Sequence, residues 1–90
     1  MNQVVIMGMI FNEPICSAIR GKTEIKLVLS VNGDKLPVKI VGRMGLEIKE
    51  HCVRGDTIGV KGKLINEDGD IFVSADKVTF LCRKEASDEE

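Results

Sequence analysis

The sequence predicts an all-β domain with one short helix. Three stretches alternate apolar and polar residues, the dipeptides Asn32-Gly33 and Asp68-Gly69 mark tight turns, and a single segment switches to helical spacing. At 90 residues the chain makes one domain. That is near the size at which a single core barely suffices, so association between copies would help.

The first element is VVIMGMIFNEP, residues 4–14. Val4, Val5 and Ile6 are β-branched, Gly8 weakens a helix interior and Pro14 ends the run, so it reads as a strand. Met1, Asn2 and Gln3 supply no basic n-region and no small-residue cleavage site follows, which argues against a secretory signal. The run is also far shorter than the ~20 residues that span a bilayer. Val4, Ile6 and Ile10 lie on one face, and Val5, Met7 and Met9 on the other. Burying both faces needs a partner surface, which predicts a homodimer, or a homotetramer built of dimers, joined through this strand.

The second strand, residues 23–31, turns Ile25, Leu27, Leu29 and Val31 inward; Asn32-Gly33 then forms a hairpin turn because both positions tolerate φ > 0. The third, residues 36–41, turns Leu36, Val38 and Ile40 inward. Residues 44–56, MGLEIKEHCVRGD, place Ile48 and Cys52 four apart and Leu46 and Val53 seven apart, the pattern of a short amphipathic helix, with Gly55 at its C′ position. The fourth strand, residues 57–65, turns Ile58, Val60 and Leu64 inward, and Asp68-Gly69 leads to a last strand over residues 71–82 that is long enough to need a bend. Three strands, a helix and two strands is the order of the five-stranded OB-fold barrel, with its short helix between strands 3 and 4. A small SH3-like barrel would not place its only helix there. The expected domain covers residues 1–84, followed by a short acidic tail over residues 85–90.

Charge is distributed unevenly. The net charge is −1, but residues 85–90 hold Glu85, Asp88, Glu89 and Glu90 with no base; setting those four aside turns −1 into +3. A basic body with an acidic end is a pattern compatible with nucleic-acid contact. Three cysteines, Cys16, Cys52 and Cys82, form no C-x-x-C pair. They fit a reduced, cytoplasmic protein better than a disulfide scaffold. With His51 they match no zinc-finger spacing, so no metal or other cofactor is expected. His51 and Cys52 are neighbours on a helix and cannot face each other as nucleophile and base, so the sequence predicts no enzyme. Gly42-Arg43-Met44-Gly45 matches the GXXG of KH domains in letters only, because it joins a strand to a helix.

Residues 1–14, MNQVVIMGMIFNEP, resemble the opening of the bacterial single-stranded-DNA-binding proteins (SSB), a strand of the form N-x-V-x-x-x-G-x-L leading into an acid-Pro pair. Residues 39–64, KIVGRMGLEIKEHCVRGDTIGVKGKL, are similar to that family's third strand, G-K/R step, helix, KG turn and V-x-G-x-L strand. VSADKVTFL, residues 73–81, resembles its closing strand. The resemblance implies single-stranded DNA binding in replication, recombination or repair, usually by a homo-oligomer. The chain also departs from the family. It has no Trp and no Tyr, Val41 stands where the family often carries an aromatic, and Met9 and Asn12 stand where basic residues are common. The loop between the last two strands is cut to NEDGD, residues 66–70, and the tail lacks the apolar tip of family tails.

The outward residues of the second and third strands are then Lys26, Lys35, Lys39 and Arg43, opposed mainly by Glu24, with Lys61 and Lys63 outward on the fourth. This is the face an OB-fold offers to nucleic acid. Phe11 and Phe72 lie near strand or loop ends where each could stack a base or equally pack in the core or against another subunit, whereas Phe80 falls in the closing-strand motif and reads as core. Two functions follow. One is an SSB-like protein that binds single-stranded DNA mainly by charge. The other is an OB-fold protein-interaction module, a primosomal or replisome accessory subunit or a diverged paralogue, working with replication proteins and binding little or no DNA. Four tethered acids compete with phosphate for a +3 body. Deleting residues 85–90 is therefore expected to tighten oligonucleotide binding, most clearly at low salt. Unchanged affinity in a titration of the truncated protein would reduce the tail to a solvated chain end.

Overall fold

Alternation and turn chemistry place the elements as β1 (Val4–Ile10), β2 (Ile15–Ile19), β3 (Lys22–Val31), β4 (Asp34–Val41), α1 (Arg43–His51), β5 (Thr57–Glu67) and β6 (Asp70–Phe80). The structure, a computed structural model, describes residues 1–19 and 21–81. Cys82 and the acidic tail over residues 85–90 lie outside the described residues. The five expected strands are present as β1, β3, β4, β5 and β6, and β2 is an additional short one. After the turn at residues 12–14 the chain extends again and pairs antiparallel with β3, from Ile15↔Lys26 to Ile19↔Lys22. Both hairpin turns have the predicted chemistry: Asn32 and Gly33 adopt φ 52° and 88°, and Asp68 and Gly69 adopt 55° and 90°.

The six strands make one sheet in the order β1-β5-β6-β4-β3-β2, coiled until β1 meets β3 at Met9↔Ser30 and Ile10↔Leu29. Every join is antiparallel except β4–β6, which is parallel and only two pairs long, Val38↔Val73 and Lys39↔Ser74. Inside the coil, Ile10, Ile25, Leu27, Leu29, Val38, Ile40, Ile58, Val60 and Val73 form one core with Ile48 and Cys52. Val31 and Leu36, also expected inside, are partly buried.

α1 closes one end of the sheet against β3 and β4. Its Gly45 is buried because a Cβ there would stand 2.6 Å from Ile25 Cγ1 and 3.0 Å from the Ile40 carbonyl oxygen. The helix stops earlier than its spacing suggests. It ends at His51 with Cys52 as C-cap, so Val53 is past the end and exposed, and Gly55 (φ 101°) belongs to the following turn rather than to C′. There the Val53 N–H donates to Asp56 Oδ2 and the Asp56 N–H to the Val53 carbonyl. Leu46 is likewise exposed, since only Gly45 and Ile48 of the helix are buried.

Two expected core residues lie at the rim. Leu64 is 48% exposed because β1 covers β5 only as far as Val4↔Gly62. Beyond that point the Asn2 side chain takes the place of a strand, its Nδ2 donating to the Leu64 carbonyl and its Oδ1 accepting from the Leu64 N–H, both at 2.9 Å. Phe80 lies opposite the buried Ile58 but is the last residue of β6, and it is 38% exposed.

The bend expected in the last strand is a bulge. Lys61 pairs with Lys77 while Gly62 pairs with Ala75, leaving Asp76 as the extra residue. A Cβ on Gly62 would lie 2.0 Å from the Ser74 carbonyl oxygen, a clash with backbone. Gly62→Ala is therefore expected to destabilise the fold by about 1–3 kcal/mol or more. At Gly59 the nearest atom would be 3.7 Å away, so Gly59→Ala should be neutral or slightly stabilising. Thermal melts of the two variants check this, and equal melting temperatures would mean the bulge yields freely.

Candidate nucleic-acid interface

Register places Lys26 opposite Lys39, Val28 opposite Pro37 and Ser30 opposite Lys35 on the outer face of β3 and β4. The backbone of Val28 is turned away from β4: its N–H donates to Asn12 Oδ1 at 2.9 Å, and its carbonyl accepts from the Phe11 N–H at 2.7 Å. The Val28–Pro37 pair therefore needs no ladder hydrogen bond, and a proline is tolerated in the middle of β4. On its other edge β4 joins β6 only from Val38 onward. At Pro37 the two strands have separated.

A groove of about 500 Å³ opens at this separation. Lys26, Val28, Pro37 and Lys39 line it from β3 and β4, Asn12 and Ile15 from the β1–β2 turn and β2, and Glu67, Asp68, Asp70, Ile71 and Phe72 from the β5–β6 hairpin. Ile15 and Ile71 are both well exposed, so the groove presents aliphatic surface to solvent as well as charge.

Two lysines on β4, at positions i and i+4 of the same strand face, each sit over a phenylalanine. Lys35 Nζ lies 4.9 Å from the centroid of Phe11, and Lys39 Nζ 4.1 Å from that of Phe72. Four strand residues separate the two stations by about 13 Å. They differ in access. Phe11 is exposed, whereas Phe72 is only 9% exposed. Phe72 is buried without belonging to the central core, because it shares the outer side of β6 with Ser74 while Val73 points inward.

The lysine over Phe72 is held in an ion-pair clasp. Lys39 Nζ donates to Glu67 Oε1 at 2.5 Å and lies 3.8 Å from Glu24 Oε2, a buried oxygen with no hydrogen-bond partner among the described residues. The hydrogen bond to Glu67, with the charges of Glu24, Glu67 and Asp68, raises the Lys39 pKa against the opposing effect of desolvation. The same bond and the charge of Lys39 lower the Glu67 pKa from its ordinary 4.5. The lowered carboxyl contributes its stabilisation above its ordinary value and loses it only as pH falls through the lowered one. The raised ammonium contributes up to the ordinary lysine range and loses it as pH rises through the raised value. Both partners are thus charged across the neutral range.

The remaining candidates are dispersed. Arg43 is not on the third strand of the expected order (β4), which ends at Val41; it is the first residue of α1, because Gly42 (φ 90°) turns the chain there. Lys63 lies opposite Ser74, which is the β6 neighbour of Lys39, so it continues the row of Lys26 and Lys39 around the sheet. Lys61 belongs to another surface: it is opposite Lys77 on β6 and Val5 on β1. That surface has its own hollow of about 520 Å³, lined by Val5, Met7, Gly59, Lys77 and Thr79 among others. Sequence reasoning missed Ile15 and Ile71, and it missed that the hairpin acids fold against the basic face. The run ICSAI between Pro14 and Gly21 was the available signal for β2.

Comparison with known proteins gives neighbours of known structure. Neither a family model nor a curated protein sequence matches the chain. Among solved structures, the single-stranded-DNA-binding protein of Thermus aquaticus is 25% identical with a TM-score of 0.85, covering 94% of this chain and 42% of its own length. The second single-stranded-DNA-binding protein of Mycobacterium smegmatis is 17% identical with a TM-score of 0.81, covering 93% of this chain and 95% of its own. The N-terminal domain of PriB from Thermoanaerobacter tencongensis, a dimeric structure, is 20% identical with a TM-score of 0.74 and covers 91% and 98%. With this element order and these neighbours, the chain has the OB-fold of single-stranded-DNA-binding protein and PriB structures.

Proposed function

We propose that the chain binds single-stranded DNA along the outer face of β3 and β4, as a compact SSB-like protein of replication, recombination or repair in the cytoplasm. The observation that carries this reading is the pair of lysine–phenylalanine stations on one strand face, flanking a groove that opens where β4 and β6 part. Lys26, Lys35, Lys39 and Lys63 neutralise phosphates. Phe11, Ile15 and Ile71 offer apolar surface to bases. A strand held in this way is bound without base readout and without chemistry, so no catalytic residue and no cofactor enters the proposal. No helix among the described residues is long and apolar enough to cross a membrane.

A second reading is a protein-interaction module, favoured by the acidic lip of the groove at Glu67, Asp68 and Asp70 beside two exposed isoleucines. Titrating labelled oligo(dT) at several salt concentrations separates the two. Four phosphate contacts predict a slope of log K on log[salt] near about −3 per subunit. Reversing Lys26 and Lys63 to Glu should remove about half of that slope and most binding at moderate salt, while folding survives because both side chains are exposed. Absence of binding even at low salt would leave the protein-interaction reading.

We further propose assembly through β1. Val5, Met7 and Met9 are exposed on its outer face, and among the described residues Val4 to Gly8 pair with β5 on one edge and with no strand on the other. An open apolar strand of this kind is the feature that pairing between copies would cover. Light scattering across a dilution series should show a homodimer, or a tetramer of dimers, and Met7→Glu should yield a folded monomer. A wild-type protein that is monomeric throughout the series would refute this assembly.

A further inference from the structure

We propose that Glu67 is a built-in competitor of the nucleic-acid backbone, its carboxylate holding the position on Lys39 that a phosphate would take. This rests on the single-strand reading above. The geometry has three parts. Among the described residues Lys39 is the one lysine of the basic row that donates to a carboxylate, and that carboxylate comes from the β5–β6 hairpin rather than from a neighbour on the sheet face. Beneath its ammonium lies Phe72, an aromatic ring on the outer side of β6 that is 9% exposed and stands apart from the core. Glu24 Oε2, buried and without a hydrogen-bond partner among the described residues, waits 3.8 Å from the same ammonium.

Displacement of Glu67 therefore does not set Lys39 free to leave. Glu24 keeps the ammonium in the groove above the ring, where an incoming phosphate takes the vacated hydrogen bond. The groups facing Glu67 are Lys39 from β4, Lys26 and Glu24 from β3, and Asp68 and Asp70 from its own hairpin. Of these only the two lysines attract it, so one phosphate on Lys39 removes its main anchor. An isolated anion gains little from this exchange because it replaces one carboxylate by one phosphate. A strand that also engages Lys26, Lys35 and Lys63 gains the other contacts, so the clasp favours a polymer over a single phosphate group.

The test compares Glu67→Gln with Glu47→Gln, which makes the same charge change on the exposed face of α1. In oligo(dT) titrations at low salt, Glu67→Gln is expected to bind about three- to fivefold tighter than wild type, and Glu47→Gln less than about twofold. A second readout needs no DNA. Acetylation of Lys39 by acetic anhydride, followed by mass spectrometry, should be slow in the wild type and faster in Glu67→Gln, with Lys61 as the unaffected internal reference. Equal tightening by both glutamine variants would reduce the effect to net charge and overturn the proposal, as would unchanged Lys39 reactivity. Binding by wild type and Glu67→Gln with equal affinity overturns the clasp alone. No binding by either overturns the single-strand reading and the clasp's role with it.

Discussion

Three pairings in the sheet join strands that are not sequence neighbours, β1–β5, β1–β3 and β4–β6, and the one that shapes the outer face is the parallel β4–β6 seam. It consists of two residue pairs. Parallel pairing is slanted and slightly weaker per residue than antiparallel pairing, so a two-pair seam contributes little by its own hydrogen bonds. Its strength comes from what the two pairs carry. Val38 and Val73 point inward and are fully packed in the core, while Lys39 and Ser74 point outward at the mouth of the groove. The same seam thus anchors the core on one side and positions the groove on the other. Pro37 stops it on one flank, and the β5–β6 hairpin runs past it to form the opposite wall of the groove.

Charge on the outer face is constrained by the same register. Placing Lys26 directly opposite Lys39 is unfavourable, as like charges on cross-strand neighbours are. Glu24, adjacent to Lys26 on the same side of β3, and Glu67, from the hairpin, offset the repulsion at Lys39. A second such pair, Lys61 opposite Lys77, has no carboxylate bridged to it among the described residues. The protein therefore carries two kinds of basic surface: one internally neutralised around Lys39, and one whose cations face solvent beside Val5 and Met7. Only the first is bordered by a groove with ring surface.

Much of this was legible in the residues themselves. Period-two alternation located Ile25, Leu27, Leu29, Val38, Ile40, Ile58 and Val60 in the core, and φ > 0 turn chemistry located both hairpins, because these features depend on local backbone and on one buried face. What was not legible depends on partners distant in sequence. Leu64 alternates correctly and is exposed because β1 ends before reaching it. Arg43 follows a strand in the sequence, but one glycine at φ 90° moves it to a helix. Lys39 reads as a free cation until the hairpin brings Glu67 back to it from 28 residues away. Phe80 reads as core and is exposed because it ends β6, while Phe72, open to either reading, lies beneath Lys39; a strand end and a cross-strand lysine have no signature in composition.

The aromatic-poor groove and the open face of β1 bear on one another energetically. Each stacked base is worth about 1–3 kcal/mol, so lacking even two stacking platforms weakens a single groove by at least about 2 kcal/mol, roughly thirtyfold. Charge alone restores this poorly, because every added cation also steepens the loss of affinity with salt. Two grooves joined on one strand change the arithmetic: the second engagement becomes intramolecular, and avidity exceeds either single affinity by about 10²–10⁴ when the spacing allows both to bind. The groove and the hollow over Val5 and Met7 share no lining residue. A dimer joined through β1 would thus leave both grooves open, and its avidity is of the size needed to offset the missing aromatics. Under the proposed binding and assembly, weak individual grooves and the exposed face of β1 would be compatible parts of one strategy.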